Sequence, residues 1–410
     1  MIVKTNLSIL HYKLLSFLLF IFIIPFYGGG IFRYVNIFIS FFILELFING
    51  KQFRFTNTIN KKIKIFKYFI VTFIILLFFS KDILVSFLVL INYIVVFISL
   101  LFIYNSISYK NIRIVIRVGI LVFLVEYAFA VGQYFGFEQF SYRTKYLSDE
   151  VLYSDNGIVR AYGTFGHSLA FVGFMLPIAL SLFAYFFFTK KAFFSFLSFL
   201  VSISLIIISG SRGALFSFFC SILILVLLFL KFSDKIAKKK FFVGITTIVI
   251  LIIIFGFVSI DKLLIFERFT STDVSNIDRV DIFSKVLPIV YNNFLFGVGS
   301  GNIKQALIEY KINVNDAVLN GGQVENAYLN IMIENGLIGL LLFLNVIFLP
   351  LYLGFKHILK YSTNRPLIIS SIIFLITVYF MMLSNTAIFG FKHSICFMFY
   401  YALILKSIKY

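Results

Sequence analysis

The chain has 410 residues, of which 61 % are hydrophobic, 20 % aromatic and only 13 % charged. No soluble domain of this length needs so much apolar surface, and its apolar runs are long enough to cross a bilayer. The formal charge of +19 does not point to nucleic acid, because the lysines sit in short linkers between apolar runs, where they orient the chain and touch anionic lipid heads.

The chain reads as an all-α polytopic membrane protein, one integral membrane domain over 1–410. About twelve spans are expected, near 14–32, 34–49, 66–80, 83–104, 112–132, 165–188, 192–209, 213–230, 241–259, 327–353, 366–385 and 393–406. Lys4 and Lys13 precede the first apolar run, but no small-residue cleavage site follows it. It reads as a retained span. Most of the 36 basic residues fall in alternate short linkers. This is the positive-inside pattern, and it puts both termini in the cytoplasm. Cys220 and Cys396 lie in apolar runs; they form no metal-ligand spacing and no disulfide is expected.

Two segments on the outer side are sizeable. The first is 132–166. The second, 260–326, is the longest polar interval of the chain. Within it Ile277, Val280, Phe283, Val286, Leu287 and Val290 recur at helical spacing, which predicts an amphipathic helix on the membrane surface or against the bundle. Pro288 is placed to bend it. Asn292, Asn293 and the glycines Gly297, Gly299 and Gly301 then end it in a tight turn. The GVGSGN string lacks the Lys-Ser/Thr ending and the preceding strand of a phosphate loop, so it reads as a turn.

Four arginines fall near the outer surface: Arg160, Arg212, Arg268 and Arg279. Arg212 sits in ISGSRGALF, a hinge of a few polar residues between two spans. Two readings stand for each arginine. It either snorkels to lipid phosphates, or grips phosphate or carboxylate oxygens, for which a guanidinium is suited. Four on one face, beside small residues, favour a cradle for an anionic substrate.

Carboxylates are the abundant acid–base candidates. Glu325 stands where the long segment re-enters the membrane, and it reads either as a general base or as a helix N-terminal acid favoured by the macrodipole. Glu334, nine residues on, reads as a bundle stabiliser, and Glu45 and Glu126 as structural partners within spans. His167 begins the sixth span and His393 the last. No HExxH, CxxC or DxD string occurs, so no metal or other cofactor is expected.

The blocks RAYGTFGHSLAFVGFMLPIAL (160–180), SGSRGALFSF (209–218), DRVDIFSKVLPIVYNNFLFGVGSGN (278–302) and ENAYLNIMIENGLIGLLLFL (325–344) together resemble the O-antigen ligase and Wzy-type polysaccharide polymerase superfamily. Their order and spacing agree over most of 155–345, whereas 1–150 matches only as generic spans. Two departures stand out. Glu325 occupies the place where the ligase pattern has histidine, which suits the polymerase branch. Phe294 and Leu295 replace the usual proline before Gly297.

The resemblance implies a metal-independent, inverting glycosyltransferase at the outer face of the bacterial cytoplasmic membrane. It would lengthen an O-antigen or capsule glycan on polyprenyl (undecaprenyl) pyrophosphate by one lipid-linked repeat unit. Arg212 and Arg279 would bind the donor pyrophosphate, Arg160 and Arg268 would help hold the second diphosphate or the loop, His167 would help bind substrate, and Glu325 would deprotonate an acceptor hydroxyl that Asn326 orients. The helix at 277–294 would serve as a lid. A flippase and a chain-length regulator are the expected protein partners. The competing classes are a flippase for lipid-linked oligosaccharide, a ligase-type transferase with another acceptor, and a plain assembly protein.

Overall fold

The computed structural model describes residues 57–106, 109–137, 140, 160–165, 167–232, 274–312, 324–360 and 364–407. All regular structure among the described residues is helical. In chain order the helices are α1 (Asn57–Leu77), α2 (Ile83–Ser106), α3 (Tyr109–Tyr134), α4 (Ser168–Phe188), α5 (Ala192–Ser209), α6 (Arg212–Phe232), α7 (Val274–Asn292), α8 (Ile303–Glu309), α9 (Ala327–Lys360), α10 (Arg365–Met381) and α11 (Phe391–Ser407). Five are long and apolar enough to cross a membrane: α2 over Ile83–Leu101, α4, α5, α6 and α9. Shorter apolar stretches occupy Phe66–Leu77, Gly119–Tyr134 and α10. The molecule is thus helical with membrane-spanning character. The expected spans at 14–32, 34–49 and 241–259 lie outside the described residues, as do much of 132–166 and of 260–326.

Helix α10 is the axis of the bundle. Its residues from Leu367 to Tyr379 are all buried, and it touches α4, α6, α9 and α11. A helix that is apolar all round has no face to offer water, so it takes the interior. Small hydroxyl residues let its neighbours approach and supply cross-links. Thr377 on α10 bonds Ser221 on α6 at 2.8 Å. Ser181 on α4 bonds Tyr400 on α11 at 2.6 Å. Each such bond contributes about 1 kcal/mol between helices in a membrane.

Helices α7 and α8 pack against the start of α9 through a second, smaller core that includes Val286, Ile289, Val290, Leu307, Val324 and Ile333. The amphipathic reading of α7 needs one correction. Phe283 is exposed, and Ile289 is fully buried. The inward stripe is 282, 286, 289 and 290, so Phe283 lies one position off it.

The sequence reads 327–353 as one continuous span, but α9 is broken at Gly336, where φ is 61° and ψ −166°. A backbone there leaves carbonyls and N–H groups without helical partners. The turn after α7 supplies them. Val298 and Gly299 donate to the carbonyls of Ile333 and Glu334 at 3.0 and 2.8 Å, while Leu337 and Ile338 donate to those of Phe294 and Leu295 at 2.8 and 3.3 Å. The two chains cross at Gly297 and Gly336. A Cβ on Gly297 would strike the backbone of Glu334, and one on Gly336 would strike that of Leu295. Only glycine adopts these positive φ values without strain while permitting backbone-to-backbone contact.

The rest of the GVGSGN segment is tied to the α1–α2 turn. The Asn302 amide donates to Ser80 Oγ at 2.8 Å and to Ser86 Oγ at 2.9 Å. Ser86 donates to the Ser300 carbonyl at 2.8 Å. Glu334 Oε1 accepts from the Gly301 N–H at 3.0 Å, a structural task of the kind expected for it. In that turn Asp82 caps α2, accepting from Leu84 and Val85 at 2.9 and 3.1 Å. The bond from Val85 outweighs slight desolvation, and with help from Gln305 and Leu84 it holds the carboxyl below the usual carboxylate range.

Candidate active site

The SGSRGA block is two helix ends in succession. Gly210 closes α5 in the left-handed region, with φ 58°, the usual device for ending a helix. Ser211 opens α6, its hydroxyl accepting from the Ala214 N–H at 3.3 Å. Arg212 is therefore the first residue of α6 and is partly buried. A helix N-terminus presents unpaired N–H groups and positive potential, so a guanidinium there adds to an anion-attracting end.

The last carbonyls of α5 are not left idle. Ile208 accepts from the Ala161 N–H at 3.0 Å, and Ser209 from Arg160 Nε at 3.4 Å. Arg160 thus lies against the turn that carries Arg212. Two side chains on α3 fix this strand of backbone. Gln133 Oε1 accepts from the N–H groups of Tyr162 and Gly163 at 2.9 and 2.8 Å. Its amide donates to the carbonyls of Gly163 and Phe140 at 2.7 and 2.9 Å. Buried Glu126 accepts from the Thr164 N–H at 3.0 Å and from the Thr164 hydroxyl.

His167 caps α4, its Nδ1 accepting from the Leu169 N–H at 3.0 Å. Next to it, Asn385 donates to the Leu169 carbonyl at 2.7 Å. His393 Nε2 meets the Ala170 carbonyl at 2.8 Å. These bonds tie the start of α4 to the end of α10 and the start of α11.

Two contacts carry the connection from Arg212 to Glu325. Gly213 lies so close to Ser384 that a Cβ would overlap its hydroxyl. Two residues before Ser384, the Met382 carbonyl accepts from the Ala327 N–H at 2.9 Å. Glu325, exposed, and Asn326 directly precede Ala327. The N-termini of α4, α6 and α9 therefore meet at one end of the bundle, bringing together Arg160, His167, Arg212, Glu325 and Asn326. Asn326 caps α9, its Oδ1 accepting from the Leu329 N–H at 3.0 Å. Asn326→Ala is expected to cost about 1 kcal/mol through loss of that cap, read as a lowered Tm in detergent. Arg279 lies in the second turn of α7, the helix packed against α9, and its side chain lies outside the described residues. Arg268 also lies outside them.

The bundle also holds an apolar groove of about 650 Å³. It runs between α6, α9 and α10. On α6 its lining runs from Ile224 to Phe232, in the half of the helix remote from Arg212, and on α9 mainly from Phe348 to Leu359; Tyr328, Phe380 and Leu383 line the part nearer Glu325 and Ser384.

The role of Gln133 is not apparent from the sequence, where Glu126 reads only as a structural partner within a span. A signal existed. The two stand seven residues apart on an apolar helix, which puts them on one face, and polar groups on such a helix need partners inside the protein.

Residues 196–344, more than a third of the chain, match the family model described as O-antigen ligase. The match takes in Arg212, Arg279 and Glu325 and supports the O-antigen ligase and Wzy superfamily as the relationship of this chain. No curated protein matches the chain.

Proposed function

We propose, from the O-antigen ligase family segment at 196–344, that this chain is a polysaccharide polymerase joining lipid-linked repeat units. Members of the family are glycosyltransferase-like enzymes, and the family points to a ligase- or polymerase-type reaction. The observation that carries the finer reading is the meeting of Arg160, Arg212 and Glu325 at one end of the bundle. Guanidinium groups gathered at a helix N-terminus suit the diphosphate head of a lipid-linked substrate.

Arg212 and Arg279 grip the diphosphate of the donor, a growing glycan on polyprenyl pyrophosphate. Glu325 takes the proton from a hydroxyl of the acceptor, one repeat unit on the same kind of lipid. The resulting oxygen attacks the anomeric carbon of the donor. The bond from that carbon to the diphosphate oxygen breaks, and the electron pair leaves with the polyprenyl pyrophosphate. The arginines and the N-terminus of α6 stabilise the charge that develops there, which is electrostatic work in a site partly shielded from water. One displacement inverts the anomeric centre. Arg160, Arg268 and His167 serve the second diphosphate. Asn326, whose oxygen is engaged in capping α9, orients the acceptor through its amide nitrogen. The reaction sits at the outer face of the cytoplasmic membrane, with both termini inside, and α7 closes over the substrates.

A second reading has a specific observation behind it. The family model is described as O-antigen ligase, and a ligase would transfer the same donor glycan to a different acceptor. Glu325, in place of the histidine of the ligase pattern, favours the polymerase. The glycan of a strain lacking this protein separates these readings. Loss of a polymerase leaves single repeat units exported. Loss of a ligase leaves full-length glycan on its lipid carrier, and loss of a flippase leaves single repeats trapped inside.

A further inference from the structure

We propose that Gln133 and Glu126 of α3 are positioning residues that set the Arg160 guanidinium at the substrate cradle. The proposal rests on the reading that Arg160 binds a substrate diphosphate. Both residues act through the backbone of 161–164.

The geometry is closed on every side. Gln133 is fully buried, and its amide is used from both ends. Its oxygen receives two consecutive N–H groups, of Tyr162 and Gly163, while its nitrogen reaches the Gly163 and Phe140 carbonyls. One side chain thus takes the place of the sheet or helix partner that this irregular backbone lacks. Two turns earlier on α3, Glu126 receives both the N–H and the hydroxyl of Thr164. A carboxylate buried on an apolar helix is costly, and these bonds are what the fold gains from it. At the other edge of the segment, Ala161 and Arg160 are held by the Ile208 and Ser209 carbonyls. The loop is therefore fixed between α3 and the end of α5, two residues from the start of α6. Displacing it by even an ångström moves the Arg160 guanidinium off the diphosphate it is to hold, and losing a charge-assisted contact of this kind weakens binding by about 10- to 100-fold.

The test is a set of kinetic and exchange measurements on the full chain, purified in detergent, with lipid-linked repeat units as substrate. The variants are Arg160→Ala, Gln133→Leu, Glu126→Leu, Glu126→Gln, Thr164→Val and the pair Gln133→Leu with Arg160→Ala. Hydrogen exchange at the amides of 162–164 reports whether the loop has been freed. Arg160→Ala and Gln133→Leu are each expected to raise KM about 10- to 100-fold with a smaller change in kcat. The pair should be no worse than either alone, since both remove the same contact. Glu126→Gln keeps one oxygen to accept the Thr164 N–H, and its amide nitrogen can donate to the Thr164 hydroxyl, so it should stay near the parent KM, whereas Glu126→Leu should not. Thr164→Val loses a single bond, so it supplies a milder effect in the same direction if the leucine variants fold poorly.

Additive effects in the pair, or faster exchange at 162–164 with KM unchanged while Arg160→Ala still raises it, would overturn the positioning role alone. If Arg160→Ala leaves KM unchanged, the diphosphate role of Arg160 falls, and the positioning proposal falls with it.

Discussion

Glu325→Gln is expected to slow chain elongation by about 10²- to 10⁴-fold while leaving the protein folded and substrate binding nearly intact. That range is what a positioned general base contributes. Glutamine keeps the size and hydrogen-bonding capacity of the side chain but cannot take a proton. Glu325 is exposed, in the turn ahead of α9, and glutamine matches its shape, so the fold is expected to tolerate the change. Arg212→Ala should show a different pattern. Losing a charged donor to the leaving diphosphate is expected to cost about 10²- to 10³-fold in kcat, with a rise in KM as well, because the same group helps bind the donor in its ground state. Arg212→Lys should recover little of this, since an ammonium cannot reproduce the two-pronged contact of a guanidinium. Both variants are measured as product chain length against time with purified protein. Full-length product at the parent rate from either variant would remove that residue from the mechanism.

The largest effect on stability is expected at Gly336. Gly336→Val should leave little folded protein in the membrane, seen as loss of the monodisperse peak after detergent extraction. Three costs combine. A β-branched residue at φ 61° and ψ −166° carries backbone strain of about 1–3 kcal/mol. Its Cβ would drive into the Leu295 backbone, and such overpacking costs about 1–3 kcal/mol. Separating the two chains would also strain the four backbone bonds that mend the break in α9, each worth about 1 kcal/mol. Together these approach the whole stability of a typical domain, about 5–15 kcal/mol. Gly297→Val strikes the same crossing from the other side and should behave alike. The control is Gly119→Ala on α3. No neighbouring atom would meet its added Cβ, and alanine favours a helix interior by about 1 kcal/mol over glycine. That variant should extract as well as the parent. Normal yield from Gly336→Val would show that the crossing of the turn and α9 is not required.

The helices were legible because long apolar runs leave the chain few alternatives. The run read at 192–209 is α5 with the same bounds, and α2, α4, α6, α10 and α11 lie within a few residues of their expected limits. Helix α1 begins nine residues before its expected start, across a lysine-rich linker, because lysine is a good helix former and length of helix is not set by hydropathy alone. The break at Gly336 was missed for a related reason. Hydropathy is continuous across it, and the signal lies in a single glycine after Asn335, whose meaning depends on a distant partner, Gly297. The site shows the same division. Arg212 and Glu325 attract notice as charged groups at the edges of apolar runs. Their meeting depends on Met382 and Ser384 at the end of α10, which no local pattern announces. The Gln133 contacts depend on a loop some thirty residues away in sequence, and side-chain-to-backbone bonds of that range leave only a weak trace in one sequence.

The central claim is that the Arg212–Glu325 end of the bundle transfers glycan between lipid-linked substrates. Its most direct measurement uses the purified full chain in lipid vesicles, supplied with polyprenyl-pyrophosphate-linked single repeat units and nothing else. The account predicts products of two or more repeats, with one free polyprenyl pyrophosphate released per bond formed, and both formed about 10²- to 10⁴-fold more slowly by the Glu325→Gln protein. Single repeats left unchanged by the parent protein, or equal elongation by the Glu325→Gln protein, would contradict it.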